Sequence, residues 1–520
     1  MDAATLASID DIETLRAIAL RSIEEIAQRD RQIDRLERTV DHREKKIALL
    51  TAELRRLRRV QYGVRSEQLT PEQRELFEDA LAADIGAVEA ELEALKTDAP
   101  TKLETKPRNR PARRALPPDL PRIEHRHEPE SCTCEDCGAA LSVIGEDVSE
   151  QLEYVPAQFV VHRHIRPQYA CGACETITAV PAAAAIIDRG LAGPGLLAQV
   201  ITAKLVDHLP LYRQEAIYAR SGVQLPRSTL AGWIGACGVA LQPLADALRS
   251  ELLKQPVLHA DETPVALLDP GAGKTRRAYL FAYRSADPDV APIVLFDFCG
   301  SRSGEHAQRM LRDYRGALLV DDYAGYKALF AQRITELGCW AHARRKFHEL
   351  HVAGKSDLAL EALQRIAALY RIESEGAALN ADARRAHRQQ HALPQLVAFK
   401  HWLDTLRPKV AAGSGTAQAI DYTLKRWTAL IRYVDDGRYP IDNNPIENAI
   451  RPIALGRKNW LFAGSEPAGR RTAALMSLIA TAKANGHDPH AWLKDVLTRL
   501  PTTLDRDIGT LLPNRWKTRD

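Results

Sequence analysis

Long apolar runs are missing from this 520-residue chain. No stretch approaches the roughly 20 apolar residues of a membrane span, so a membrane is not an expected partner. The opening residues, MDAATLASIDDIETL, are acidic and lack the basic-then-apolar layout of a secretory signal. The expected compartment is therefore the cytoplasm. Net charge is small: 71 Lys and Arg against 68 Asp and Glu leave +3, which neither demands nor excludes nucleic acid. Cysteine is sparse, and five of the eight fall between Cys132 and Cys174. In a reducing compartment such clustering points to metal ligation more than to disulfides. What remains is the composition of a soluble protein, 45% hydrophobic and 27% charged. The length suggests about three to five structural units.

Residues 19–57 read as one long helix. Ile26, Ile33, Val40, Ile47 and Leu54 recur every seven residues, and Leu36, Leu50 and Leu57 stand three further on. β-Branched residues at a and Leu at d favour a parallel dimeric coiled coil. Arg29 and Arg43 interrupt the d row, and the plainer alternative is a helix packed on its own chain. A dimerisation helix is thus expected at 1–62, followed by a helical segment at 63–98. Residues 99–129, rich in Pro and Arg, read as a linker.

Residues 130–180 read as a zinc-binding module. Cys134 and Cys137 form one C-x-x-C, Cys171 and Cys174 another. Four thiolates close a tetrahedral structural zinc site and leave no position open for catalysis. Cys132 is the alternative to Cys134, and the intervening EQLEYVPAQFVVHRHIRPQYA alternates like hairpin strands. Residues 186–250 look helical. Within them, LYRQEAIYARSGVQLPRSTLAGWIGACG reads as helix, turn at Gly222, then a helix from near Ser228. That spacing suits a helix-turn-helix whose second helix would bring Arg227, Ser228 and Thr229 to DNA, although any helical hairpin has the same outline.

From residue 255 to 348 the pattern becomes three β-type runs, a helix, a strand (GALLVDD), a short helix, a strand (ITELGCW) and a helix. The order βββαβαβα is that of a ribonuclease-H-like domain, in which the ends of the first and fourth strands lie side by side. Asp261 and Asp321 occupy those ends. Residues 349–436 read as a helical insertion, 437–480 as the second part of the core, and 481–520 as a helical tail. In YPIDNNPIENAIRPIALGRKNWLFAGS, Asn444 is a good N-cap, Pro445 a good first helical residue, and Glu447 the third position. The overall expectation is a multidomain α+β protein.

Asp261, Asp321 and Glu447 are the catalytic candidates. Hard divalent cations held by carboxylates activate an attacking oxygen and stabilise a leaving oxygen in phosphoryl transfer. Each acid has a plainer alternative: a turn cap at Asp261, a solvated loop acid at Asp321 with Asp322 as the other ligand, a capping box at Glu447. In CWAHARRKF, Cys339 and His342 form a zinc half-site or active-site support, or else a buried strand cysteine followed by a polar helix start. Arg344, Arg345 and Lys346, with Arg451, Arg457 and Lys458 after Glu447, supply charge for DNA phosphates.

These stretches, together with QYGVRSEQ, the paired C-x-x-C knuckles and the tail SLIATAKANGHDPHAWLKDVLTRLP, resemble the DDE transposases of the insertion-sequence-66 family over nearly the whole chain. The resemblance implies a ribonuclease-H-like core split by an insertion, with Asp261, Asp321 and Glu447 as ligands of magnesium (or manganese). It implies a metal-dependent polynucleotidyl transferase that binds an element's terminal repeats, then cleaves and joins strands. Its partners would be double-stranded DNA (element ends and target), at least a second copy of the chain, and accessory proteins of the same element. The protein would be nucleoid-associated when bound. Where the family shows Asp-Gly-Tyr, this chain has Asp321-Asp322-Tyr323. The other readings are a ribonuclease-H-like nuclease without strand joining and a catalytically silent DNA-binding regulator.

Overall fold

The structure is a computed structural model. It describes residues 37, 40–41, 43–55, 57–58, 84–92, 116, 120–127, 139, 141–155 and 158–517, apart from 270–271, 273, 331–332, 355 and 461. The chain divides into two compact units, residues 1–63 with 88–109, and residues 64–87 with 110–520.

In the first unit, residues 43–55 are helical. Leu50 and Leu57, two of the d-row leucines, are buried within a single chain, whereas Val40 of the a row is 53% exposed. Arg58 Nη2 donates to Glu89 Oε1 at 2.6 Å, and Val88 and Leu92 beside Glu89 are buried. The remaining seam residues Ile26, Ile33 and Leu36 lie outside the described residues, as does most of the Pro- and Arg-rich linker.

The second unit opens with a four-stranded sheet. Strands β1 (Arg122–Arg126), β2 (Leu141–Val155), β3 (Gln158–Cys171) and β4 (Ile177–Ala179) have the order β1-β3-β2, with β4 on β3. β2 and β3 form a long antiparallel hairpin, from Leu141 opposite Cys171 to Val155 opposite Gln158. Along β3, Ile165, Pro167, Tyr169 and Cys171 are buried alternately, the period of two that a half-covered strand shows. The two ends of the hairpin differ. Leu152, Phe159 and Val161 join the main hydrophobic core, while the cysteine end lies beyond it. Glu153 anchors the junction: its carboxylate accepts the Gly195 N–H at 3.3 Å, at the start of α1 (Pro194–Leu205). A helix N-terminus favours that negative charge. A Cβ at position 195 would displace this carboxylate from the helix start.

Helices α2 (Leu211–Arg220), α3 (Arg227–Ala240) and α4 (Gln242–Leu252) follow. The expected pair of helices about Gly222 is present as α2 and α3, and Gly222 takes φ +80°, a conformation that suits glycine. From Leu230 to Gly238, every α3 residue except Gly232 is buried. A helix apolar on all sides belongs in a core. What α3 leaves for a partner is its first turn, with Ser228 exposed and Arg227 and Thr229 half-buried.

The central sheet contains β5 (Val257–Asp269), β6 (Lys274–Ser285), β7 (Val294–Cys299), β8 (Ala317–Val320) and β9 (Thr335–Gly338) in the order β7-β6-β5-β8-β9. β5, β6 and β7 pair antiparallel, and β5, β8 and β9 pair parallel. Helix α5 (Gly304–Met310) lies between β7 and β8 in sequence, and α6 (Lys327–Phe330) between β8 and β9. The edge strand β7 has backbone groups to satisfy. Ser477 and Thr481 of a later helix do so: Ser477 Oγ accepts Phe296 N–H at 2.8 Å, and Thr481 Oγ1 accepts Val294 N–H at 3.0 Å.

After β9 the chain forms α7 (Trp340–Gly354), α8 (Asp357–Glu375), α9 (Ala381–Leu406), α10 (Gly415–Lys425) and α11 (Trp427–Ile431). These share a separate core that includes Trp340, Phe347, Ile366, Phe399, Trp427 and Tyr433. The insertion's core thus already begins on α7. The chain returns to the main core with α12 (Asn444–Trp460), α13 (Glu466–Ala484) and α14 (Pro489–Arg499).

Candidate active site

Asp321 directly follows the end of β8, but Asp261 lies inside β5 rather than at its expected end: β5 continues to Asp269 in pairing with β6, and only its parallel pairing with β8 stops at His259. β5 and β8 pair with His259 opposite Leu319, and Asp261 and Asp321 each lie two residues further along. Glu447 arrives from the first turn of α12. Burial raises the Asp261 carboxyl to about 7, and the charges of Glu262, Asp321 and Glu447 push the same way. Asp261 thus sits partly buried within reach of the charges of both other acids.

Asp321 and Asp322 behave differently. Asp322 faces Lys425 at 3.2 Å, Lys327 at 3.4 Å and Arg426 at 3.5 Å. Burial alone would raise its pKa, but the Lys425 hydrogen bond and these cations outweigh burial and lower it. Asp322 is thus committed to basic groups, two of them from the insertion. Asp321 Oδ1 accepts the Tyr323 N–H at 2.8 Å, and no cation pairs with it among the described residues.

The placement of Glu447 starts one residue before the helix. Asn443 is buried; its Oδ1 lies 2.9 Å from His259 Nδ1, its Nδ2 donates to Ala260 O at 3.0 Å, and its N–H donates to Cys339 Sγ at 3.3 Å. These bonds tie the start of α12 to β5 and to the end of β9. Arg284 of β6 adds a hydrogen bond to Pro445 O at 2.9 Å. The helix begins at Asn444, and the Glu447 N–H bonds to Asn443 O at 3.2 Å, so the flanking residue is Asn443 rather than the expected Asn444. Glu447 does not reach back to close a capping box. Its oxygens face His342 Nδ1 at 3.8 Å and Arg345 Nη2 at 3.5 Å, and Oε1 is buried without a hydrogen-bond partner.

Cys339 and His342 have separate roles. The Cys339 thiol is buried, raised to about 12, and serves as acceptor for Asn443. His342 faces Glu447; burial lowers its pKa, against the pull of Glu447. Arg344, Arg345 and Lys346 are exposed on α7, and of these Arg345 reaches Glu447. Arg451 and Lys458 are exposed on α12, while Arg457 donates to Pro264 O at 2.8 Å and so braces β5.

A neighbouring group was not anticipated from sequence. Glu262, 2% exposed in its side chain, accepts Arg302 Nε at 2.9 Å and Tyr326 Oη at 3.3 Å. The Arg302 guanidinium lies 4.1 Å from the Tyr323 ring centroid. This network braces the loop behind Asp321. The acidic pair Asp261-Glu262 was its only sequence signal.

The donor chemistry fits a hard divalent cation. Repelling carboxylates, one raised to about 7 and another with a buried unpartnered oxygen, gain from an added positive charge. Among the described residues, no three His, Cys, Asp or Glu side chains converge closely enough to grip an ion as they stand. In the cysteine module, Cys171 ends β3 and is buried, and Cys174 is exposed in the following turn. The backbone reverses there through Cys171 N–H to Thr176 O and Glu175 N–H to Cys171 O, both 2.9 Å. Cys132, Cys134 and Cys137 lie outside the described residues.

Residues 189–471 match the Transposase IS66 family, and residues 131–175 match the zinc-finger binding domain of transposase IS66. Residues 477–514 match the IS66 C-terminal element, and residues 49–124 match Transposase C of IS166 homeodomain. Uncharacterized protein y4qI of Sinorhizobium fredii (strain NBRC 101917 / NGR234) is 38% identical over 98% of this chain and 97% of its own length. Uncharacterized protein y4jD of the same strain is 38% identical over 93% of this chain and 98% of its own. No described helix is long and apolar enough to cross a membrane.

Proposed function

The chain belongs to the transposase IS66 family, and from that premise we propose a DDE-type DNA transposase that cuts element ends and joins them to target DNA. The observation that supports this reading is that Asp261 and Asp321 each lie two residues past the parallel pairing of β5 and β8, and that the charges of Asp321 and Glu447 act on Asp261. The sheet order, an antiparallel meander followed by parallel strands, supports reading the core as ribonuclease-H-like. Asp261, Asp321 and Glu447 would hold magnesium (or manganese). Bound there, the metal supplies activation of the attacking oxygen and charge stabilisation at the leaving oxygen.

The protein's own groups do the rest. Arg345 and His342 flank Glu447 and restrain its carboxylate. Asn443 and Arg284 fix the helix start beside β5 and β6, which limits how far Glu447 must move to join the other acids around a metal. Exposed Arg451, Lys458 and Lys346 offer charge to DNA phosphates around the acids. The first turn of α3, with Arg227, Ser228 and Thr229, contributes to end recognition. Cys134, Cys137, Cys171 and Cys174 would bind one structural zinc, which the zinc-finger match supports. The N-terminal helix would pair subunits through its a-row face, where Val40 stays exposed.

A strand-joining assay tests the reading. Labelled element ends are incubated with magnesium and plasmid target. Joined products support a transposase, cleavage without joining supports the nuclease reading, and binding without either supports a silent regulator.

A further inference from the structure

Arg344, Arg345 and His348 stand on neighbouring turns of one side of α7, with Arg344 and His348 at i and i+4. With Ala367 and Tyr370 of α8 and Asn444 at the start of α12, they line an open cleft of about 490 Å³ between the insertion and the core. Among the described residues, no acidic side chain lines it. The carboxylate behind its wall, Asp442, is 8% exposed and fully engaged. Tyr370 Oη and Asn444 Nδ2 donate to its Oδ2 at 2.8 and 2.7 Å, and Asn444 N–H donates to its Oδ1 at 3.1 Å. The cleft therefore presents cations without a counter-charge. Arg345 leans out of it toward Glu447, at 3.5 Å. Arg344 and His348 are exposed, and no hydrogen bond or ion pair occupies their side chains among the described residues.

Two features point to the same ligand. The guanidinium fork of Arg344 matches a phosphate, and His348 adds a second donor; the Asn444 N–H and amide beside them are already spent on Asp442, so these two side chains carry the contact. The volume falls in the range of about 300–1,000 Å³ that holds one small ligand, whereas a duplex, with a major groove alone about 12 Å wide, is far too large to enter. Arg345 links this cleft to the acid site, because it lines the one and pairs with Glu447 of the other.

We propose that this cleft takes one unpaired nucleotide of the DNA strand that continues past the acid site, its phosphate held by Arg344 and His348. The inference rests on the transposase reading for its ligand. Helix α7 then holds the strand flanking the cut while Asp261, Asp321 and Glu447 act on the bond.

The test uses the full-length protein without divalent metal, so that nothing is cleaved. Fluorescence anisotropy compares a blunt terminal-repeat duplex with the same duplex carrying a short single-stranded extension beyond the cut. The wild-type protein is expected to bind the extended probe about tenfold tighter, the scale of one charge-assisted hydrogen bond. In Arg344→Ala/His348→Ala the ratio falls to about one, and Arg344→Lys restores part of it. An abasic extension keeps the gain, while a methylphosphonate extension loses it. No gain in the wild type, or an equal gain in the double variant, overturns the proposal. Absent strand joining with the extension gain intact would instead count against the transposase reading alone.

Discussion

Asp261, Asp321 and Glu447 come from two neighbouring strands and a helix that returns after a long insertion, whereas Cys171 and Cys174 sit on one chain reversal between β3 and β4. The acid site exists only when the central sheet, the insertion and α12 are all in place. Asn443, Arg284 and the core beneath them do the positioning. The second cysteine knuckle needs only local turn geometry. Its hairpin is nevertheless anchored at the far end, where Leu152 and Phe159 enter the main core. Damage to the acids should therefore leave the fold and remove the chemistry. Damage to the knuckle should loosen one end of the hairpin and spare the rest.

The largest effect is expected at the acids. Asp261→Asn and Asp321→Asn each remove a negative charge without changing size. Cleavage and joining should fall by about a thousandfold or more, and the double variant should be no worse than either single one, as for residues acting as a unit. Radiolabelled-end assays with purified variants read this directly. Independent, multiplying losses would break the single-site account.

Next comes Cys171→Ser. It should release the zinc that the two knuckles are proposed to share, worth on the order of 10 kcal/mol in small domains. Metal analysis should find no stoichiometric zinc. Hydrogen exchange should rise near residues 141–146 and 166–179, while the main core, which holds Leu152 and Phe159, stays protected. Loss of protection throughout β5–β9 would show that the two regions are not separable.

A third test acts on the acid site from a distance. Arg388 is 3% exposed in its side chain, pairs with Glu373 at 2.6 Å, and donates to Tyr433 O, Asp436 O and Tyr439 O at 2.7, 2.8 and 2.9 Å. It pins the segment that leads into α12. Arg388→Ala strips a half-buried carboxylate of its ion pair and removes a donor from three carbonyls, of which Asp436 O keeps the Tyr439 N–H, and should cost about 3 kcal/mol. Urea denaturation should report the loss, and activity should fall with it, because Glu447 depends on that segment.

The parallel neighbours β5 and β8 were legible in sequence as apolar runs leading to Asp261 and Asp321, whereas the continuation of β5 past Asp261 to Asp269 was not, because it depends on pairing with β6. Asp321 and Asp322 could not be separated that way, since the difference lies in Lys425 and Arg426, a hundred residues on. The Glu262–Arg302–Tyr326 network was hidden for the same reason: it joins three segments through the register of the fold. The burial of α3 was legible and was outweighed by the helix-turn-helix outline. LAGWIGACG is small or apolar on every side, which is the pattern of an interior helix. Helix boundaries shifted by one residue at Asn443, within the usual uncertainty of helix ends.

The smallest effect is expected at Asp322. Its ion pairs are partly exposed, so Asp322→Asn should cost at most about 1 kcal/mol. Activity should stay within several-fold of wild type, against the collapse expected for Asp321→Asn. Equal losses at the two positions would mean that the pair shares the ligand role.

The central claim is that Glu447 is the third member of the acid site and not a helix cap. Glu447→Gln keeps the shape and any capping bond but removes the charge. In a strand-joining assay with magnesium, run beside a gel-shift assay on element-end DNA, the variant should bind ends as the wild type does and form joined product at least about a hundredfold more slowly. Near-normal joining by Glu447→Gln would contradict the account.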